Sequence, residues 1–289
     1  MRGLRRAARP ETGQPLSALL VFCAFHSRYA MLQELRIFLT AVQYFTRIPV
    51  PAWVGHSSRQ LEDAARYFPL AGVLVGGAAG AALWLAAQVL PLPVAVVLSM
   101  SAGILVTGAF HEDGLSDFAD GLGAGADRER MLAIMKDSRT GVYGVLSLVL
   151  VLLLKYQALL FLCSTHSLRY LAAVLIAAHA VSRLMAASIM LTQRYVRFDD
   201  SARAKPAAQQ LGYANFAVAL ITCLAMLGVL LLAGANPGSI ALACLGALLM
   251  RGLLARQLRK RLGGYTGDGL GAVQQLSEVA FYLGLLAAF

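Results

Sequence analysis

Apolar residues run along this chain in blocks of span length, separated by short connections. The blocks lie near 70–90, 93–110, 143–163, 169–191, 213–233, 238–255 and 271–289. A helix crosses the hydrocarbon of a bilayer with about 17–25 apolar residues, so each block is a candidate span, the second and the last being the shortest. The pattern predicts an all-α fold: a polytopic integral membrane helix bundle of about seven transmembrane helices with cytoplasmic loops. Ahead of the blocks, Leu32, Leu35, Phe38, Leu39, Val42 and Phe45 recur with helical period between Met31 and Ile48. Pro49 and Pro51 stop that helix, and its stripe suits the membrane interface. Gly72, Gly76, Gly77 and Gly80 fall at the spacing that lets helices approach closely in lipid. No internal repeat of the kind that builds inverted-repeat transporters is visible.

Composition agrees with the pattern. The chain is 58% hydrophobic and 14% charged, where soluble domains carry about a quarter charged residues. A net charge of +10 would suggest nucleic acid in a soluble protein, but its distribution explains it otherwise. Arg36, Arg47, Arg59 and Arg66 lie in 31–69, and Arg128, Arg130, Lys136 and Arg139 in 111–141. Arg194, Arg197, Arg203 and Lys205 lie in 192–212, and Arg251, Arg256, Arg259, Lys260 and Arg261 in 251–270. The alternate connections, 91–92, 164–168 and 234–237, hold no Lys or Arg. This is the positive-inside asymmetry; it puts the basic loops in the cytoplasm and leaves nucleic acid without support. Cys23, Cys163, Cys223 and Cys244 sit in apolar runs without metal spacing and read as small core hydrophobes. Residues 1–30 read as an extension from an upstream start rather than a cleaved signal, because Cys23-Ala24-Phe25-His26-Ser27 is a poor cleavage site. The functional domain is then 31–289.

The chemistry concentrates in the basic loops. His111-Glu112-Asp113-Gly114-Leu115-Ser116-Asp117-Phe118-Ala119-Asp120-Gly121 places three aspartates at i, i+4 and i+7, on one face of a helix. Stacked like charges call for a cation, and hard oxygen ligands favour Mg²⁺. Downstream, Lys136, Asp137 and Arg139 offer groups suited to phosphate. Metal ligands beside phosphate binders are what phosphoryl transfer needs. The glycine-rich run Gly263–Gly271, with Gly267 and Asp268, reads as an anion-binding nest. Inside the apolar blocks, His179 and Arg183 are i, i+4 and suggest a polar pocket, whereas Lys155 reads as a snorkelling residue.

At these residues the chain resembles the cobalamin synthase family, the adenosylcobinamide-GDP ribazoletransferases, over about residues 31–289. The motifs that carry the likeness are Phe45–Pro51, Phe68–Gly72, Phe110–Gly121, Lys136-Asp137-Ser138-Arg139 with Gly141 and Tyr143-Gly144, Ser182-Arg183, and Gly263–Gly271 with Leu276-Ser277-Glu278. Glu112 stands where the family pattern has an apolar residue. The resemblance implies that a hydroxyl of α-ribazole, or of its 5′-phosphate, attacks the phosphorus on the cobinamide arm of adenosylcobinamide-GDP. GMP is expelled, and adenosylcobalamin or its 5′-phosphate is formed. It implies a bacterial inner-membrane enzyme using Mg²⁺, with its active site facing the cytoplasm. A homo-oligomer, or association with other corrinoid-assembly enzymes, is compatible with this.

From the residues themselves, the expected roles are metal binding by Asp113, Asp117 and Asp120 and catalysis by these three with Lys136 and Arg139. Arg47, His111, Asp137, Arg183, Gly267 and Asp268 complete the expected substrate contacts. Two other readings are a phospholipid synthase of the CDP-alcohol phosphotransferase kind and a cation transporter. The first expects Ala-Arg soon after Asp113-Gly114, where this chain has Ser116-Asp117. The second needs carboxylates at mid-membrane depth.

Overall fold

The computed structural model describes residues 16–55, 57–123, 127–196 and 211–288. Residues 1–15 of the extension, and Arg197, Arg203 and Lys205 of the third basic loop, lie outside the described residues. By compactness the chain divides into Met1–Arg36 and Ile37–Phe289. The helices in chain order are α1 (Leu16–Phe45), α2 (Ser58–Ala64), α3 (Phe68–Ala86), α4 (Leu92–Thr107), α5 (Phe110–Gly123), α6 (Arg128–Ile134), α7 (Val142–Thr165), α8 (Leu168–Thr192), α9 (Tyr213–Leu232), α10 (Pro237–Leu262) and α11 (Gly267–Leu286). No β-strand occurs among the described residues, so the all-α expectation holds.

The span count differs from seven. Five helical stretches are long and apolar enough to cross a membrane: Gln60–Ala86, Val142–Thr165, Leu168–Thr192, Tyr213–Leu232 and Pro237–Leu262. The 93–110 block is α4, which passes only together with α5, and the two are bent by 87°. Sixteen residues of helix reach about 24 Å, short of a bilayer core. Gly108 then ends α4 in the left-handed conformation, and Ala109 follows with φ 60°. Counting the bent pair as one span makes six. The 271–289 block is α11, whose buried Gln274, Gln275, Ser277 and Glu278 lower its hydropathy. Those side chains face the bundle.

Helix α8 is the centre. Of its most apolar window 83% is buried, against 17–28% for α7, α9 and α10, whose exposed Leu, Val and Ile faces are those of lipid-facing helices. Helix α3 packs on α8 through Gly72, Gly76 and Gly80, where an added Cβ would overlap or crowd the backbone at His179, Leu175–Ile176 and Ala172. Gly77 has open space and takes no part. The connections after α3, α7 and α9 are short, which makes successive helices antiparallel. The α4–α5 bend, the α6–α7 connection and the α10–α11 connection therefore share the other end.

Candidate active site

Two helices meet at that end through glycine. A Cβ on Gly114 of α5 would lie 3.1 Å from Asp268 Cα, and one on Gly271 of α11 would lie 3.1 Å from His111 O. The backbones touch because neither position carries a side chain. The start of α11 is fixed from outside as well. Tyr265 N donates to Arg194 O at 2.9 Å and Val196 N to Tyr265 O at 3.1 Å, and the Thr266 hydroxyl accepts from Gly269 N at 3.1 Å. The glycine-rich run is thus no open nest. Only Gly263–Thr266 form the turn, and Gly267, Gly269 and Gly271 are already helical.

A cleft of about 250 Å³ opens at this crossing. Asp113, His111, Arg183, Gly267 and Asp268 line it, so five of the expected residues come together. Six aromatic residues, Tyr44, Phe45, Phe68, Phe110, Tyr195 and Tyr265, make up much of the rest of its wall. The Phe45 ring packs edge-on to Phe68 at 4.1 Å and stacks on His111 at 6.0 Å. Phe45, Phe68, Phe110 and Tyr265 belong to the motifs that carried the family resemblance, but no local pattern joined them into one wall, since its residues come from α1, α3, α5 and two loops.

The other expected residues lie elsewhere. Asp117 is one turn further along α5, half-buried and outside the cleft lining. Asp120 is buried and accepts from Gly141 N at 2.7 Å and Gly144 N at 2.8 Å, capping α7. Seven residues of helix separate it axially from Asp113 by about 10 Å. Sharing a face did not put the two at one place. Lys136 and Arg139 are exposed in the α6–α7 connection. Arg139 closes on Asp137, with Nη2 to Oδ2 at 2.6 Å; that guanidinium and the Arg139 amide hold the Asp137 carboxyl down to about 2. Arg47 is exposed and lies over Gly108 at the α4–α5 bend.

Among the described residues, no three His, Cys, Asp or Glu side chains form a group that could hold a metal alone. Asp113 and Asp268 both face the cleft, however, and Mg²⁺ characteristically takes one or two carboxylates and completes its shell with water and substrate phosphate. The donor set fits such an ion at Asp113 and Asp268, while Asp120 is committed to two amides.

Beneath the cleft is a buried polar network that the sequence pattern only partly disclosed. Glu278 receives Lys155 Nζ at 2.5 Å and the Tyr282 hydroxyl at 3.0 Å on one oxygen, and Gln274 Nε2 at 2.8 Å on the other. His179 stands 3.4 Å from that second oxygen and 3.1 Å from Arg183 Nη1. Gln274 also reaches Ser182 Oγ at 3.0 Å, and Gln275 donates to Glu112 at 2.9 Å. Lys155 therefore does not snorkel; it is 6% exposed and paired. The missed signal was Gln274, Glu278 and Tyr282 at i, i+4 and i+8, a polar stripe on an otherwise apolar helix. A lone buried charge is very costly in lipid, so the stripe had to face partners on α7 and α8.

Fold and site together define a polytopic membrane protein of helices around a central span, with an acidic and aromatic cleft at one end. The chain belongs to the cobalamin-5-phosphate synthase family, whose model matches residues 37–286. It is 50% identical over 262 residues to the adenosylcobinamide-GDP ribazoletransferase of Leptothrix cholodnii, covering 89% of this chain and 97% of that protein. It is 46% identical over 256 residues to that of Shewanella frigidimarina, covering 89% and 96%. No solved structure matches it.

Proposed function

We propose that this chain is the transferase its relatives' names describe. It moves the phosphocobinamide group of adenosylcobinamide-GDP onto α-ribazole or α-ribazole 5′-phosphate, releases GMP and so completes a cobalamin in the cytoplasmic membrane. The observation that carries this reading is the α5–α11 crossing. It puts Asp113, Asp268 and the buried Arg183 around one cleft, at the N-terminal ends of two helices, where the helix dipole favours anions.

Asp113 and Asp268 would hold Mg²⁺. When bound, the ion supplies positive charge to the diphosphate oxygens. Arg183 sits in the floor of the cleft and takes a phosphate oxygen. The aromatic wall receives the flat base of the incoming nucleoside and keeps water from the reacting phosphorus. Asp117, if the ion takes only Asp113 and Asp268, is the α5 carboxylate left to accept the proton of the attacking hydroxyl. Arg47 at the α4–α5 bend and Lys136 in the α6–α7 connection, both exposed, add positive charge to this end of the bundle and would draw the anionic substrate in. The corrin ring is larger than a 250 Å³ cleft and stays at its mouth, so only the arm and its diphosphate enter. The alternation of basic and Lys/Arg-free connections supports a cytoplasmic position for this end.

Purified protein in detergent, given adenosylcobinamide-GDP, α-ribazole and Mg²⁺, is expected to release GMP with formation of the joined cobalamin. Chelation of the metal is expected to stop release, and added Mg²⁺ to restore it. No GMP release with correctly inserted protein overturns the assignment, and release that survives chelation overturns the metal.

A further inference from the structure

Behind the cleft, among α3, α4, α5, α7, α8 and α11, lies a second cavity with about 10 Å³ of room for the centre of a water, close to one molecule. Three residues lining it each have a buried polar atom without a hydrogen-bond partner: Glu112 Oε2, Gln275 Oε1 and Arg183 Nε. Two of these atoms accept and one donates. A water offers two donors and two acceptors, so one molecule matches all three. A metal cation is disfavoured by Lys155 and Arg183, which line the same cavity, and an anion is disfavoured by Glu112. Buried polar atoms are costly to leave unpaired, and ordered water is the usual remedy where room allows.

We propose that this cavity is the binding site of one structural water. It donates to Glu112 and Gln275, accepts from Arg183 Nε, and holds the guanidinium in the floor of the cleft. Arg183 and Gln274 line both cavities, so a change behind the wall is felt in front of it. Glu112 is then a positioning residue acting on Arg183 through the water. That consequence for catalysis rests on the reading of Arg183 as a phosphate contact; the water site does not.

Gly103 of α4 gives the test. It lines the cavity, and a Cβ there meets only His179 Nε2 and Val75 Cγ1, both at 3.9 Å, which is ordinary contact. In an empty void, Gly103→Ala would raise Tm, by filling space and by favouring the helix. Displacing a bound water reverses the sign. The full chain in detergent is expected to lose about 2–4 °C of Tm. In a Glu112→Leu background, where the water has lost one partner, the decrease is expected to shrink by at least half. A Tm that stays level or rises overturns the water site. So does an undiminished decrease in the Glu112→Leu background, because a clash would then be its cause. In the GMP-release assay, Gly103→Ala is expected to raise KM for adenosylcobinamide-GDP about tenfold while kcat holds, the pattern of weakened uniform binding. An unchanged KM beside the lowered Tm keeps the water and removes Arg183 from substrate binding.

Discussion

Asp120 accepts the Gly141 amide just ahead of α7 and the Gly144 amide in its first turn, at 2.7 and 2.8 Å, while Asp113 lines the cleft from the first turn of α5. Their substitutions should therefore separate cleanly. Asp113→Asn keeps the size but loses the charge a hard cation requires; GMP release is expected to fall at least about a hundredfold, with Tm unchanged. Asp120→Ala leaves two amides without their acceptor and is expected to cost about 2 kcal/mol or more of stability, with residual activity in the protein that stays folded. Thermal melts beside GMP release decide the matter, and an Asp113→Asn protein as active as the parent removes it from the site. The same scale explains what sequence spacing could disclose. The i, i+4, i+7 pattern correctly predicts a shared face, because that follows from 3.6 residues per turn. It is silent on the rise of about 10 Å between the ends of the pattern and on which partner claims each carboxylate.

At the scale of elements, the α5–α11 crossing sets the distance between Asp113 and Asp268. Gly114→Ala or Gly271→Ala would put a methyl within 3.1 Å of the facing backbone, and backbone cannot swing aside as a flexible side chain can. Both variants are expected to insert normally and to lose most GMP release. Gly77→Ala, which faces open space on α3, is the control and should behave as the parent. Normal turnover in Gly114→Ala and Gly271→Ala would show that the crossing does not position the site. The helices were legible because apolar block length is a local property. The 87° bend between α4 and α5 was not, since a Gly-Ala pair inside an apolar run does not announce two successive left-handed residues. The glycine run before α11 read as a nest for a related reason. Glycine weakens a helix on its own, yet close packing requires it at Gly269, against Leu258, and at Gly271, against α5.

For the whole molecule, even-numbered return of the spans puts the cleft, the α6–α7 connection and the basic end of α10 on one side. The connection at Ala233–Asn236 lies on the other and holds no Lys or Arg. A reporter fused after Pro237 is expected to read outside, and one after Asp127 to read the cytoplasm. The reverse pattern, or the same compartment for both, contradicts this topology. The sequence by itself determined the class of protein and most of its helices, and it offered the charge asymmetry and the acidic and basic residues on which the topology and the metal and phosphate roles are proposed. These rest on block length, charge asymmetry and composition, each readable over a few neighbouring residues. Only the tertiary structure decided that Asp268 joins Asp113 while Asp120 caps α7, that Lys155 pairs with Glu278 rather than reaching for the interface, and that six aromatic residues from distant segments wall the cleft. Those outcomes depend on which helix faces meet. In lipid, that choice follows from close packing of small residues and the partnering of buried polar groups, neither of which is visible within a single segment.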